Sequence, residues 1–187
     1  MKKVFSVMVA LMMVATMSLN AAGRGKYIHV DATVNKNLKP QIAFYQDNID
    51  GADVTTLLVK TVDVNDYKEF TEVSRVLLRF ADGTMARLNR TDKAVTKEKK
   101  YTEKKGTATI SFYPSVVEYE VTPEVIEKLE AGIAIIKVRI VFKENESKDY
   151  DISEGYQARM AADLLKSYQE AVQTHRRSNS DLSDEDF

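Results

Sequence analysis

The stretch that decides the fold is residues 116–142, VVEYEVTPEVIEKLEAGIAIIKVRIVF, because the period of its apolar residues changes twice. Residues 116–121 alternate in the way that a half-buried strand does. Thr122, Pro123 and Glu124 then supply a capping hydroxyl, a proline at the first helical position and an acid in the first turn, which indicate the start of a helix. We expect that helix to end near Gly132, and residues 136–142 alternate again as a strand.

Upstream of this stretch, the chain predicts a series of strands joined by turns. The predicted strands are residues 27–34, 41–45, 54–64, 72–80, 84–90 and 106–121, the last interrupted at Pro114. Asp82 and Gly83 form a pair that tolerates positive φ, which predicts a two-residue hairpin turn. Residues 91–105 contain six lysines and almost nothing apolar, so we expect a long solvated loop there.

The last predicted element is a long helix that starts after Ser153. The apolar side of this helix is predicted to consist of Met160, Leu164, Leu165, Tyr168 and Val172. We expect His175, Arg176 and Arg177 at its end to complement the negative end of the helix dipole. The sequence therefore predicts an α+β fold: a mainly antiparallel β-sheet of about six to eight strands, one short helix and a long C-terminal helix packed on the sheet.

Residues 1–22 have the three-part order of an export signal. Lys2 and Lys3 precede the apolar residues 4–17, and small and polar residues follow as far as Ala22. The apolar run is shorter than the about 20 residues that a membrane-spanning helix needs, so we expect cleavage after Ala22 and no transmembrane span afterwards. The rest of the chain predicts one α+β domain over residues 23–177 and a disordered, acidic tail over residues 178–187.

Composition excludes several classes of function. The chain has no cysteine, which removes disulfides, thiol catalysis, cysteine-containing zinc sites and the cysteine-linked lipid anchor of bacterial lipoproteins. The chain has 27 basic and 28 acidic residues, and loss of Lys2 and Lys3 with the signal would leave a slightly acidic protein. That balance gives no support for binding nucleic acid.

The candidate ligand site is the polar face of the first predicted strand, where Tyr27, His29 and Asp31 lie at alternating positions. Successive side chains on one face of a strand are about 7 Å apart, close enough to converge on one ligand. This is the one cluster that includes a histidine. The plainer interpretation is a solvated strand surface, which we favour.

Two acidic groups have alternative interpretations. Asp47, Asn48, Asp50 and Asp53 surround Gly51 and could form an oxygen-rich cation loop, but the spacing does not fit an EF-hand, so a turn held by side-chain to backbone bonds is favoured.

Glu118 and Glu120 share a strand face and could act as the carboxylate pair of a glycosidase. The chain has no tryptophan to stack on a sugar, so ordinary surface acids are the favoured interpretation. We find no serine-hydrolase elbow, phosphate-binding glycine loop or zinc-protease motif, and we expect no cofactor, no metal and no catalytic residue.

Residues 119–140 resemble a segment of small exported proteins of Bacteroidetes. The resemblance is carried by residues 119–129, by Gly132 and by the strand at residues 136–140. It implies a location in the periplasm or on the outer surface of a Gram-negative bacterium. It transfers no catalytic residue, because such proteins are mostly uncharacterised.

The leading functional hypothesis is a non-enzymatic periplasmic or secreted module that binds an envelope protein or glycan through its sheet surface. The alternative is an envelope hydrolase with a site near His29 and Asp31. A deep pocket at those residues would favour the hydrolase, whereas a flat exposed patch would favour a surface for a macromolecular partner.

Overall fold

The computed structural model describes residues 23–30 and 38–183, which form ten strands and two helices. The elements are β1 (Ile28–His29), β2 (Gln41–Ile49), β3 (Ala52–Asp63), β4 (Arg75–Phe80), β5 (Met85–Asn89), β6 (Thr96–Lys97), β7 (Tyr101–Lys105), β8 (Ala108–Glu120), α1 (Pro123–Glu130), β9 (Ile135–Lys143), β10 (Glu146–Asp151) and α2 (Glu154–Ser183). Of the strand predicted at residues 27–34, β1 covers two residues, and residues 31–34 lie outside the described part.

The strands form two antiparallel sheets. The six-stranded sheet has the order β1-β2-β3-β8-β6, with β7 also paired to β8, and the four-stranded sheet has the order β10-β9-β4-β5. The sheets meet just after β5, where Arg90 bridges Tyr119 and the Thr91 N–H donates to the Glu118 carbonyl at 3.0 Å. The α+β fold with antiparallel sheets and a long C-terminal helix is confirmed.

The lysine-rich segment is ordered as strands, so its prediction as a solvated loop was wrong. Within it, β6 and β7 both pair with β8. The Tyr101 ring stacks on Phe112 with centroids 5.0 Å apart, and Val95 packs against the core. These few apolar side chains anchor the segment while the lysines remain at its surface, which is why composition alone was misleading. A further short strand, β10, begins at Glu146, where the sequence analysis predicted no strand.

The predicted interruption at Pro114 was also wrong, because β8 runs through it without a break. The Pro114 carbonyl accepts a hydrogen bond from the Glu98 N–H at 3.0 Å. In an antiparallel strand the nitrogen and oxygen of one residue point toward the same neighbour, so the absent N–H also faces that side. The Glu98 carbonyl, which would accept from that N–H, accepts a hydrogen bond from the Tyr67 hydroxyl at 2.9 Å instead.

A hairpin turn joins β4 and β5 at the predicted place. It has three residues, 81–83, instead of two, because the Phe80 N–H donates to the Thr84 carbonyl at 3.0 Å. Gly83 adopts a φ of +86°, as the left-handed position of such a turn requires. Hydrogen bonds from the Thr84 hydroxyl and N–H, with the Lys128 ammonium, lower the pKa of Asp82 to about 2.

We expect Gly83→Val to lower the free energy of unfolding by more than about 1 kcal/mol, because a β-branched residue is strained at this φ. A Cβ at Gly83 would have no atom within 4 Å, so the loss would come from backbone strain and not from a clash. Thermal and urea denaturation would measure it. Gly83→Asn is the control, since asparagine tolerates this conformation. A valine variant as stable as the parent would contradict the turn.

Both helices pack on the inner side of the sheets. α1 starts at Pro123 as predicted, although the Thr122 hydroxyl makes no capping bond, and Gly132 ends it at a φ of +70°. The buried face of α2 consists of six residues, of which three are small: Met160, Ala161, Leu164, Ser167, Ala171 and His175. Leu165, Tyr168 and Val172 are half-buried, and α2 continues past Ser178, where the tail was predicted to begin.

The small residues of α2 allow it to approach the sheet edge closely. The Ser167 hydroxyl accepts a hydrogen bond from the Phe44 N–H at 3.1 Å and donates to the Lys26 carbonyl at 2.9 Å. The Gly25 N–H donates to the Phe44 carbonyl at 2.9 Å. A Cβ on Gly25 would lie 1.9 Å from the Ser167 carbonyl oxygen. Ser167 of α2 thus connects residues 23–30 with β2.

Candidate functional site

The outer face of the four-stranded sheet carries the main candidate site. Val76 and Leu78 of β4 point into the core, so the alternating residues Arg75, Leu77 and Arg79 point outward. Arg79 is exposed, while Arg75 and Leu77 are half-buried. On the outer face of β4, an apolar residue, Leu77, therefore lies between two arginines, Arg75 and Arg79.

Strand register places two more arginines beside Leu77. Arg87 of β5 and Arg139 of β9 are its direct partners on the two neighbouring strands. Cβ atoms of directly opposite residues are about 5 Å apart, and same-face residues along a strand are about 7 Å apart. We call Arg75, Arg79, Arg87 and Arg139 the arginine cluster, which surrounds Leu77 on all four sides.

One member of the arginine cluster has a carboxylate partner. Arg139 Nη2 lies 2.7 Å from Asp149 Oδ2, and this pairing lowers the pKa of Asp149. Arg87 Nε donates to Asn89 Oδ1 at 3.1 Å. Within residues 23–30 and 38–183, no ion pair forms at Arg75, Arg79 or Arg87. Three positive charges in this cluster are therefore not neutralised by the described chain.

A like-charge pair also lies on this face. Arg79 lies directly opposite Lys137 on β9, and like charges in that position destabilise a sheet. Lys137 Nζ lies 2.9 Å from Asp151 Oδ1, a contact that raises the pKa of Lys137. The acids are thus on the β10 side of the face, whereas the unneutralised arginines are on the β4 and β5 side.

Apolar side chains lie between these charges. Met85, opposite Arg79, is 62% exposed, and Leu77 is half-buried. Val141, opposite Arg75, is almost fully buried under its neighbours. A flat, exposed face that mixes arginine with methionine and leucine has the composition of a protein interface core and rim.

The predicted ligand site lies elsewhere, at β1. Tyr27 and His29 line a groove of about 230 Å³ between β1 and α2, and Asp31 lies outside the described residues. Gln41 Nε2 is 3.2 Å from His29 Nε2, and the Tyr156 hydroxyl donates to the His29 carbonyl at 3.3 Å. The structure thus brings two of the three predicted residues to one groove.

The surroundings of Tyr27 are apolar and cationic. Burial raises the pKa of Tyr27 to about 12, although the nearby Arg24 guanidinium opposes the shift. Arg24 lies 5.3 Å from the ring centroid of Tyr27, and Lys60 lies 6.0 Å from it. A neutral phenol held between cations is well placed for packing, and it stays protonated at physiological pH.

The acidic turn at residues 47–53 is held by side chains, as the favoured interpretation predicted. The Gly51 N–H donates to Asn48 Oδ1 at 3.0 Å, and Asp50 adopts a φ of +53°. Asp47 pairs with Lys93, whose Nζ lies 3.1 Å from Asp47 Oδ2. In the part of the chain that the structure describes, no three His, Asp or Glu side chains are arranged to hold a metal ion.

The interpretation of His175 as a helix-end partner was wrong. α2 continues to Ser183, and its last turn carries no basic residue. His175 is buried on the inner side, with Nε2 3.2 Å from Asp53 Oδ1 on β3. The pair links the distal part of α2 to the start of β3. No local sequence pattern could have indicated it, because the two residues are far apart in the chain.

The carboxylates proposed as a glycosidase pair have different surroundings. Lys93 Nζ lies 3.0 Å from Glu118 Oε2, while Glu120 is exposed at the end of β8. Lys93 also lies 5.4 Å from the Tyr45 ring centroid. Glu118 is therefore part of a lysine and tyrosine network on the six-stranded sheet, which accounts for its position structurally.

Comparison with protein-family models, curated proteins and solved structures gave no match. Of the helices in residues 23–30 and 38–183, none has the length and apolar character needed to span a membrane. The site must therefore be interpreted from its own geometry.

The sequence analysis did not identify the arginine cluster, although part of the signal was present. Arg75, Leu77 and Arg79 alternate with apolar residues in a predicted strand, and so does Arg139. The missing information was strand order: β9 and β5 are on opposite sides of β4, and only that arrangement brings the four arginines together.

Proposed function

We propose that the protein is a non-enzymatic binding module, exported to the periplasm or surface of a Gram-negative bacterium, and that the outer face of the four-stranded sheet contacts an envelope partner. The observation that supports it is the arginine cluster, in which three unneutralised arginines surround a half-buried leucine. Export is supported by the signal-like residues 1–22, and the host by the Bacteroidetes resemblance.

Three arginines of the cluster contribute no ion pair to the fold within the described residues, whereas Arg139 pairs with Asp149. Placing Arg79 opposite Lys137 costs free energy, and the fold gains nothing at Arg87 beyond a bond to Asn89. Binding an anionic partner would relieve the repulsion, so the same charges would favour the complex. The alternative of a hydrolase receives less support, because the groove at Tyr27 and His29 has a volume of about 230 Å³, below the about 300–1,000 Å³ that is typical of small-molecule sites.

Site-specific photo-crosslinking in the host tests this proposal. A photoreactive amino acid replaces Met85, which is exposed beside the arginine cluster, and in a control strain it replaces the exposed Glu127 on α1. We expect a crosslinked product of discrete mass from position 85 and none of that mass from position 127. No product at position 85, or the same product at both, would reject the sheet face as the binding surface. Mass analysis of the recovered protein should also show that residues 1–22 are absent, and their retention would reject export.

A further inference from the structure

We infer that the partner presents an acidic polypeptide segment that lies extended along β4, with its carboxylates on the arginine cluster. This inference rests on the proposed function, because it names the partner of the same face. The observation that supports it is the geometry of the arginine cluster. Arg75 and Arg79 lie along one strand, and Arg87 and Arg139 lie on either side of the leucine between them.

The chemistry of the cluster favours carboxylates. A guanidinium group presents a planar fork of donors that matches a carboxylate in two parallel hydrogen bonds. Arg75, Arg79 and Arg87 make no ion pair within the described part of the chain. Arg75 Nη1 donates to the Val73 carbonyl at 3.5 Å and Arg87 Nε to Asn89 Oδ1 at 3.1 Å, and the remaining guanidinium donors are available to a partner. Arg139 shows the geometry in this protein, since Nε and Nη2 both bond to Asp149.

The spacing of the cluster favours an extended peptide. Alternate residues on a strand are about 7 Å apart, so Arg75 and Arg79 are separated by about twice that distance with Leu77 between them. An extended peptide repeats at the same interval, and it can therefore present carboxylates in register with both arginines. Leu77 and the exposed Met85 supply the apolar contacts between the charges.

Acidic residues on β10, at one edge of this sheet face, disfavour the binding of larger polyanions. Asp149 and Asp151 on β10 lie on the same outer face, beside Arg139 and Lys137. A sulfated glycan or an anionic bilayer spread over the whole sheet would meet these carboxylates. A narrow segment along β4 and β5 would avoid them, and the repulsion would help to position it.

Two peptides of equal composition test the inference with the purified mature protein. One alternates glutamate and threonine for twelve residues, and the other has six glutamates followed by six threonines. Only the alternating peptide can place every carboxylate on one face when extended. By fluorescence anisotropy at low salt, we expect the alternating peptide to bind about tenfold more tightly, a difference of about 1.4 kcal/mol.

Charge-reversed variants test whether the alternating peptide binds at the arginine cluster. R79E/R87E should lose most of the affinity for the alternating peptide, whereas K99E/K105E, with the same change in net charge at exposed lysines of residues 96–105, should keep it. R79E alone should already bind the alternating peptide more weakly. Arg79→Glu would face Lys137 and convert a repulsive pair into an attractive one, so the melting temperature of R79E should not fall below that of the parent. Loss of binding would then not be a consequence of misfolding.

Other outcomes overturn the inference. Equal binding of the two peptides would reject the extended geometry, and equal losses in the two double variants would reject the arginine cluster as the site. Binding of heparin or of phosphatidylglycerol vesicles, with neither peptide bound, would reject a polypeptide partner. If neither peptide binds while the crosslink at position 85 still forms, the acidic segment is rejected and the proposed function stands. If both fail, both are rejected.

Discussion

A chain truncated before Ser153 should not fold cooperatively. The truncation removes α2, whose Met160 and Leu164 are fully buried and whose Tyr168 packs edge-on against Phe44 with centroids 5.6 Å apart. Burying each large apolar side chain contributes about 1.5–3 kcal/mol, and a whole domain is stable by only about 5–15 kcal/mol. Removal of these residues would also expose the inner side of β2. Circular dichroism during thermal denaturation should show no cooperative transition.

Truncation after Arg177 is the matched control. It keeps the buried face of α2, including His175 and its 3.2 Å contact with Asp53. The melting temperature should stay close to that of the full mature chain, because the polar residues removed cannot offset the entropy of ordering them. If the chain without α2 melted at the parent temperature instead, the helix would not be part of the core, and the packing described for it would be contradicted.

Gly25→Ala should destabilise the protein by at least about 2 kcal/mol, because overpacking a close contact forces the backbone to move. The added Cβ would lie 1.9 Å from the backbone oxygen of Ser167 in α2 and 2.5 Å from its hydroxyl oxygen. Either residues 23–30 leave the edge of β2, or α2 shifts from the sheet. Both responses break the hydrogen bonds that the Ser167 hydroxyl makes to Phe44 and Lys26. Urea denaturation would measure the loss.

Gly155→Ala separates this steric effect from the general effect of removing a glycine. Gly155 lies in the first turn of α2, and a Cβ there would have no atom within 4 Å. Alanine is a better helix former than glycine by about 1 kcal/mol, so this variant should be as stable as the parent or more so. If Gly25→Ala lowered the free energy of unfolding no more than Gly155→Ala, the close approach of Gly25 to Ser167 would be contradicted.

The sequence analysis correctly predicted those elements whose boundaries are marked by nearby residues. The change of period at Thr122 located α1 and β9, and Asp82 with Gly83 located the turn between β4 and β5. The short strands β6 and β7 were missed because their pairing with β8 supplies what their composition lacks. Pro114 was misjudged for the same reason: its cost depends on which neighbour its nitrogen faces, and that is a property of the whole sheet.

The candidate site was less predictable than the fold. Tyr27 and His29 line one groove, and their separation of two residues already placed them close together in an extended segment. The arginine cluster requires the register of β4, β5 and β9, and three other strands and α1 separate β5 from β9 along the chain. The contact of His175 with Asp53 likewise joins residues that only the packing of α2 brings together. Period and composition contain no information about such pairings.

The hydrogen bonds of the Ser167 hydroxyl to Phe44 and Lys26 constrain the order in which the chain can fold. Ribosomes release the amino end of a chain first, and residues 23–30 can pair with β2 soon after both are made. The Ser167 hydroxyl that fixes them to α2, however, is 141 residues further along the chain than Lys26, so this contact is missing until nearly all of the protein has been made. Contacts of such long range form late and slowly. A partly synthesised chain would therefore lack the contact that fixes this edge of the six-stranded sheet to α2.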